Sequence, residues 1–160
     1  MSQRPLALML LLQLAVVGKG AAQDRDFSVR PLDGTVRSFS VVSAPRVRVV
    51  NIWAPWCGPC VAELPSLQAL ADSLRADGVD VVTVTGDRES SVRAFLRKSP
   101  LRLPVLLEQS ALPESWQVSM LPTTLVLDAD GRVLERHRGA RVWHDAATVA
   151  RLRAAARGER

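Results

Sequence analysis

Trp53-Ala54-Pro55-Trp56-Cys57-Gly58-Pro59-Cys60 decides the reading of this chain. Just before it, residues 46–53 (Arg-Val-Arg-Val-Val-Asn-Ile-Trp) make a β-branched run of the kind that fills a buried central strand. Pro55 ends that strand. After it, Val61, Leu64, Leu67, Leu70, Ala71 and Leu74 recur at helical spacing. A helix is therefore expected from about Cys57 to Asp77, kinked at Pro65 and closed by Gly78 just past its end. The chain has two cysteines, and both stand where this strand hands over to this helix.

That position sets their chemistry. Cys57 at a helix N-terminus has unpaired backbone N–H groups and the positive end of the helix dipole near its sulfur. Both favour thiolate over thiol, and the thiolate is the nucleophile of thiol–disulfide exchange. Cys57 would attack a disulfide to give a mixed disulfide, and Cys60, one turn along, would attack Cys57 and release the reduced substrate. Pro59 restrains the turn between them. A purely structural bridge explains the pair poorly, because so small a loop removes little unfolded-state entropy. A zinc site is the rival reading, since two cysteines and two histidines supply the usual four ligands. His137 and His144 lie outside the spacing of a closed site, and Pro59 is unlike a zinc knuckle, so no metal is expected and both histidines are read as surface or hairpin residues.

The rest of the chain is consistent with one α/β domain. Its 160 residues, 48% hydrophobic, suffice for a core without disulfide staples. The net charge is +5, and +3 without residues 1–22, which hold Arg4, Lys19 and no acid. No run of like charges points to nucleic acid. Residues 1–22 read as an export signal: Arg4 supplies the positive start, residues 6–17 the apolar stretch, and Gly20-Ala21-Ala22 small residues suited to cleavage before Gln23. Cleavage is favoured over an uncleaved anchor, because a spanning helix needs about 20 apolar residues. Export would place the dithiol in an oxidising compartment.

Strands are expected at 27–30 and 36–42 around an Asp33-Gly34 turn, at 79–85, at 103–107, and in a hairpin of 123–128 and 132–137 around 129–131. Residues 89–98 read as an amphipathic helix with Val92, Phe95 and Leu96 inward, and 113–118 as one or two helical turns. Asp145 should cap a last helix running to about Arg157, with Arg151, Arg153 and Arg157 suited to its C-terminal dipole. Alternating strands and helices argue for a mixed sheet flanked by helices, in a domain spanning 23–160.

The block from Trp53 to Cys60 resembles the active site of the thioredoxin superfamily. Export, Glu63-Leu64-Pro65 and Met120-Leu121-Pro122-Thr123-Thr124 narrow this to the TlpA/ResA-like group of extracytoplasmic thioredoxins, protein disulfide reductases. The resemblance covers about residues 27–152. It implies a thioredoxin fold with an N-terminal hairpin and a central α/β insertion at about 87–107. It implies that Pro122 is cis and faces the dithiol, and that backbone beside it, carried here by Leu121 and Thr123, pairs with substrate. Trp53 and Trp56 are expected to pack around the site, with Trp56 also a candidate substrate contact. Cytoplasmic thioredoxins carry a buried acid six residues before the first cysteine. Here that place is held by Asn51, which cannot titrate, and Glu63 matches the acid that the TlpA/ResA group has three residues after the second cysteine. Glu63 is thus the candidate for proton exchange with Cys60, whose helix face it shares.

The function so implied is a periplasmic thiol–disulfide oxidoreductase that reduces disulfides of exported proteins. It would need no cofactor, act as a monomer and draw electrons from a membrane thiol transporter. Apocytochrome c thiols before haem attachment are one substrate class of the family, and cytochrome c biogenesis one role. The Gly-Val-Pro-Glu type of signature near the cis-proline of dedicated cytochrome-maturation members is missing here. Two other readings of the fold remain: a copper-delivery or binding module, and a peroxiredoxin-type peroxidase. The first usually adds a histidine partner to the thiols. The second needs a threonine where this chain has Ala54.

Overall fold

The strand β3 (Val47–Ile52) is buried at every position, as expected of a strand covered on both faces. It belongs to a seven-stranded sheet in a computed structural model that describes residues 27–41 and 45–159. The segment read as an export signal lies outside the described residues, as does Val42.

The sheet comprises β1 (Ser28–Pro31), β2 (Arg37–Ser38), β3, β4 (Val79–Thr85), β5 (Val105–Glu108), β6 (Thr123–Asp128) and β7 (Val133–Arg138), in the order β2-β1-β5-β4-β3-β6-β7. β3 and β4 run parallel, joined by helix α1 (Gly58–Leu74) and a 3₁₀ turn, Arg75–Asp77. Gly78 follows with φ 81°, a left-handed conformation that glycine accepts without strain. β4 and β5 are also parallel, connected by α2 (Glu89–Lys98). Helix α2 and strand β5 occupy the stretch expected as the central insertion, about 87–107, and β5 carries the hairpin β1–β2 on its far edge. On the other side β6 pairs antiparallel with β3, and β7 closes the sheet antiparallel to β6. The last helix, α3 (Ala146–Arg157), packs Leu152 and Ala156 into the same core as α1.

The period-2 alternation of β3 distributes its side chains. Val47 and Val49 face the core beneath α1, whereas Val50 and Ile52 join the core on the opposite face. Asn51, two residues beyond Val49, therefore points to the α1 side. On that side α1 buries Leu64, Leu67, Leu70, Ala71 and Leu74, each leucine contributing about 1.5–3 kcal/mol on removal from water. Glu63 is buried with them, 3% exposed.

Two local expectations are corrected. The strand expected over 36–42 shrinks to Arg37–Ser38, and Phe39–Val41 forms a 3₁₀ turn. The chain turns inward because Phe39 is wanted in the core: its ring stacks on Phe27 at 4.8 Å and meets Trp116 edge-on at 5.5 Å. The arginines of α3 serve ion pairs rather than the dipole alone. Arg151 pairs with Glu135 on β7, and Arg153 with Asp77 at 2.9 Å. Helix α1 runs unbroken through Pro65, whose ring costs it one internal hydrogen bond.

Candidate active site

Cys57 is the N-cap of α1. Its backbone N–H donates to the Ala54 carbonyl at 3.1 Å, closing the turn out of β3. Its Sγ accepts from the backbone N–H of Cys60 at 3.3 Å, the bond that a Ser or Asp cap makes through oxygen. Gly58 and Pro59 follow at the first helical positions, where a proline loses no hydrogen bond. The pair is oxidised: Cys57 and Cys60 form a disulfide across a Cα–Cα distance of 5.2 Å. The two sulfurs are not equivalent. Cys57 is 6% exposed and Cys60 0%, so an incoming disulfide reaches Cys57 first. A Cβ on Gly58 would meet nothing within 4 Å, so this side of the dithiol is open.

The cis bond Leu121–Pro122 lies at the same end of the sheet. Register explains why. Ile52, the last residue of β3, pairs with Thr123, the first of β6. The cis-proline thus stands one residue before the paired segment, beside the point where residues 53–57 leave β3. The Pro122 carbonyl accepts from Gly139 N–H at 2.9 Å, tying it to the end of β7. Thr123 is fully buried, and its hydroxyl donates to the Met120 carbonyl at 2.7 Å. Any contact it makes with substrate is through backbone, not through its side chain.

The two tryptophans separate. Trp53 is buried, its ring edge-on to Phe95 at 5.2 Å. Trp56 does not pack into the site as expected: it is 75% exposed, because the turn after Pro55 carries it outward. It lines an open groove of about 380 Å³ together with Ala54, Leu112, Val118 and Leu121. Glu108 and Asp87 supply the groove's carboxylates, and burial pushes the Glu108 carboxyl up.

Glu63 is held by donors from three places. Asn51 Nδ2 donates to Oε1 at 2.7 Å. Trp143 Nε1 and the backbone N–H of Arg141 donate to Oε2 at 2.9 and 3.2 Å. Asn51 Nδ2 also reaches Thr124 Oγ1 at 2.9 Å. Trp143 is itself fixed, since its backbone N–H donates to Ser66 Oγ at 3.1 Å and the Arg141 guanidinium lies 5.0 Å above its ring. Neither Trp143 nor Arg141 stood out in the sequence, because they lie about eighty residues from Glu63. The one available signal was a lone tryptophan just before the capping Asp145. His137 packs edge-on against Trp143 at 5.5 Å, and His144 is exposed. Among the described residues no three His, Cys, Asp or Glu side chains gather as a metal site.

A disulfide at the N-terminus of the first helix of a thioredoxin fold, one sulfur reachable and one buried, defines a thiol–disulfide oxidoreductase. Comparison with known proteins agrees. The chain belongs to the Redoxin family, whose profile matches residues 21–155. It is 33% identical over 121 residues to the thioredoxin-like protein YneN of Bacillus subtilis, covering 73% of this chain and 70% of that one. It is 30% identical over 122 residues to the thiol-disulfide oxidoreductase ResA of Bacillus cereus, covering 75% and 68%. A thiol:disulfide interchange protein DsbE homolog of Paracoccus denitrificans is 36% identical over 103 residues, 63% of this chain and 55% of that protein. Among solved structures, a thioredoxin-related protein from Neisseria meningitidis serogroup B superposes with a TM-score of 0.67 at 25% identity, covering 82% of this chain and 99% of that one. StoA from Bacillus subtilis shares the fold, with a TM-score of 0.62 at 22% identity over 81% and 94% of the two chains. The chain is thus a thiol–disulfide oxidoreductase of the ResA/DsbE type. No helix among the described residues is long and apolar enough to cross a membrane.

Proposed function

We propose that this protein is an exported reductant of disulfides in other exported proteins. The observation that carries the reading is the asymmetry of the dithiol: Cys57 is reachable and capped by the Cys60 N–H, while Cys60 is fully buried beside the turn that bears Glu63. The Cys57 thiolate attacks one sulfur of the substrate disulfide, whose S–S bond breaks and whose other sulfur leaves as a thiolate. Cys60 then gives its proton to Glu63 and attacks Cys57 Sγ. The Cys57–Cys60 bond forms, the mixed disulfide breaks, and the second substrate thiolate departs. The substrate gains two electrons and the dithiol loses them.

Substrate chain would run along the cis-proline, with Leu121, Pro122 and the backbone of Thr123 on one side and Trp56 on the other. The groove that Trp56 and Leu121 share supports that placement. Residues 1–22 act in this reading as a cleaved export signal and 23–160 as the catalytic domain, placing the protein in the periplasm. A membrane thiol transporter restores the reduced pair, and apocytochrome c is one candidate substrate. The test is insulin reduction driven by dithiothreitol, together with the reduction potential of the Cys57–Cys60 couple. Turnover that Cys57→Ala abolishes, with a potential on the reducing side of glutathione, supports the proposal. A strongly oxidising potential would overturn the direction assigned here.

A further inference from the structure

The two oxygens of Glu63 do not have the same neighbours. Oε2 faces an indole N–H and a backbone N–H. Both groups are donors only, so a proton placed on Oε2 would meet two hydrogens and no acceptor. Oε1 faces the Asn51 amide, which has both a donor and an acceptor. The acceptor, Asn51 Oδ1, is buried without a hydrogen-bond partner among the described residues. The amide's other neighbour is the Thr124 hydroxyl, which can donate or accept. Half a turn of the Asn51 amide would therefore bring Oδ1 to Glu63 and let Thr124 donate to it. The charged carboxylate is matched by Nδ2 and the protonated one by Oδ1.

We propose that Trp143 and Asn51 are positioning residues for the proton exchange assigned to Glu63: Trp143 bars Oε2, so the Cys60 proton is taken at Oε1, where the Asn51 amide serves both states. The proposal rests on the reading of Glu63 as the proton partner of Cys60. Cys60 loses its proton to Oε1 and its sulfur displaces the group bound to Cys57 Sγ. When the leaving thiolate is reprotonated from solvent, Glu63 returns its proton to solvent and the amide turns back. Trp143 is suited to this work because it is itself clamped, by Ser66 through its backbone and by the Arg141 guanidinium over its ring. Charged or titratable groups at this clamp are Arg141, Asp145, which pairs with Arg141 at 3.2 Å, His137 against the ring, and His144, exposed beside Trp143 in the chain.

The test uses the reduced full-length protein and an aromatic disulfide, dithiobis-nitrobenzoate. The first chromophore released reports attack by Cys57, and the second reports attack by Cys60. Trp143→Phe removes a donor to the charged carboxylate and so disfavours the form that accepts the proton. The second phase should slow about tenfold at the acid end of its pH profile, with the limiting rate at high pH and the first phase unchanged. Should the phenylalanine variant not fold, benzothienylalanine at 143 replaces the N–H by sulfur in a ring of the same shape. Glu63→Gln should abolish the inflection. A second phase whose pH profile is unaltered by Glu63→Gln would sink the Glu63 reading itself. An inflection lost in Glu63→Gln but unmoved in Trp143→Phe would refute the role of Trp143 alone, as would equal slowing at every pH, the mark of a structural role. Disappearance of the displacement in a His137→Gln background would assign it to the histidine and overturn the proposal as well.

Discussion

Replacing Glu63 by leucine and by glutamine should give different losses of stability. In the native protein the buried carboxylate accepts from Asn51 Nδ2, Trp143 Nε1 and Arg141 N–H. Hydrogen bonds to a charged group contribute about 1.5–3 kcal/mol each, against a desolvation penalty of several kcal/mol for the buried ion. Glu63→Leu relieves the penalty but leaves the Trp143 Nε1–H, the Arg141 N–H and one of the two Asn51 Nδ2 hydrogens without their acceptor, and the stranded donors dominate. A net loss of about 2–4 kcal/mol is expected. Glu63→Gln behaves otherwise. Its carbonyl can replace Oε2 before Trp143 and Arg141, and its NH₂ then faces Asn51, whose amide can turn to offer the unpartnered Oδ1. The loss should be about 1 kcal/mol or less, one ordinary hydrogen bond. Urea denaturation of the oxidised proteins at pH 7, with midpoints and slopes fitted separately, measures both. Equal losses for the two variants, or a leucine variant as stable as wild type, would refute the clamp. Either result would mean that Asn51 and Trp143 find other acceptors once the carboxylate is gone.

Three further outcomes follow from the same structure. Asp145 caps α3 through Thr148 and pairs with Arg141, and these bonds hold its carboxyl at about 2. Its contribution should be complete above the ordinary carboxylate range and fade as pH falls through about 2, so the gap in melting temperature between wild type and Asp145→Ala should close in that window. Glu108, pushed up by burial, opposes folding when ionised, so Glu108→Gln should raise the melting temperature at pH 7 and leave it unchanged in acid where both states are neutral. Leu67 is fully buried in the core beneath α1, and Leu67→Ala should cost about 2–5 kcal/mol in chemical denaturation with little change in slope.

Much of the site was legible in the chain because its logic is local. A β-branched run, a proline and a helical repeat put Cys57 at a helix N-terminus, and one helical turn puts Cys60 and Glu63 on a shared face. The hairpin of β6 and β7, the cap at Asp145 and the boundaries of β4 and α2 follow from equally short-range patterns. The failures were also local in kind. Residues 36–42 carry a strand pattern, but Phe39 leaves the strand to complete an aromatic cluster with Phe27 across the same hairpin and with Trp116 from a distant part of the chain. Trp56 was expected both to pack around the site and to be a candidate substrate contact; its placement beyond the end of β3 leaves it exposed rather than packed.

From residues alone came the dithiol and its place at a helix N-terminus, since these depend on local pattern; the resemblance to the TlpA/ResA group singled out Glu63, which one helical turn puts on the face of Cys60. Only the tertiary structure decided what surrounds that acid. The register of β3 against β6 brings Thr124 to Asn51, and the return of the chain after β7 brings Arg141 and Trp143 to Glu63. Those meetings depend on strand order and on which way each strand's alternate side chains point. Neither is encoded at any single spacing, because pairing partners are chosen by the burial of the whole sheet.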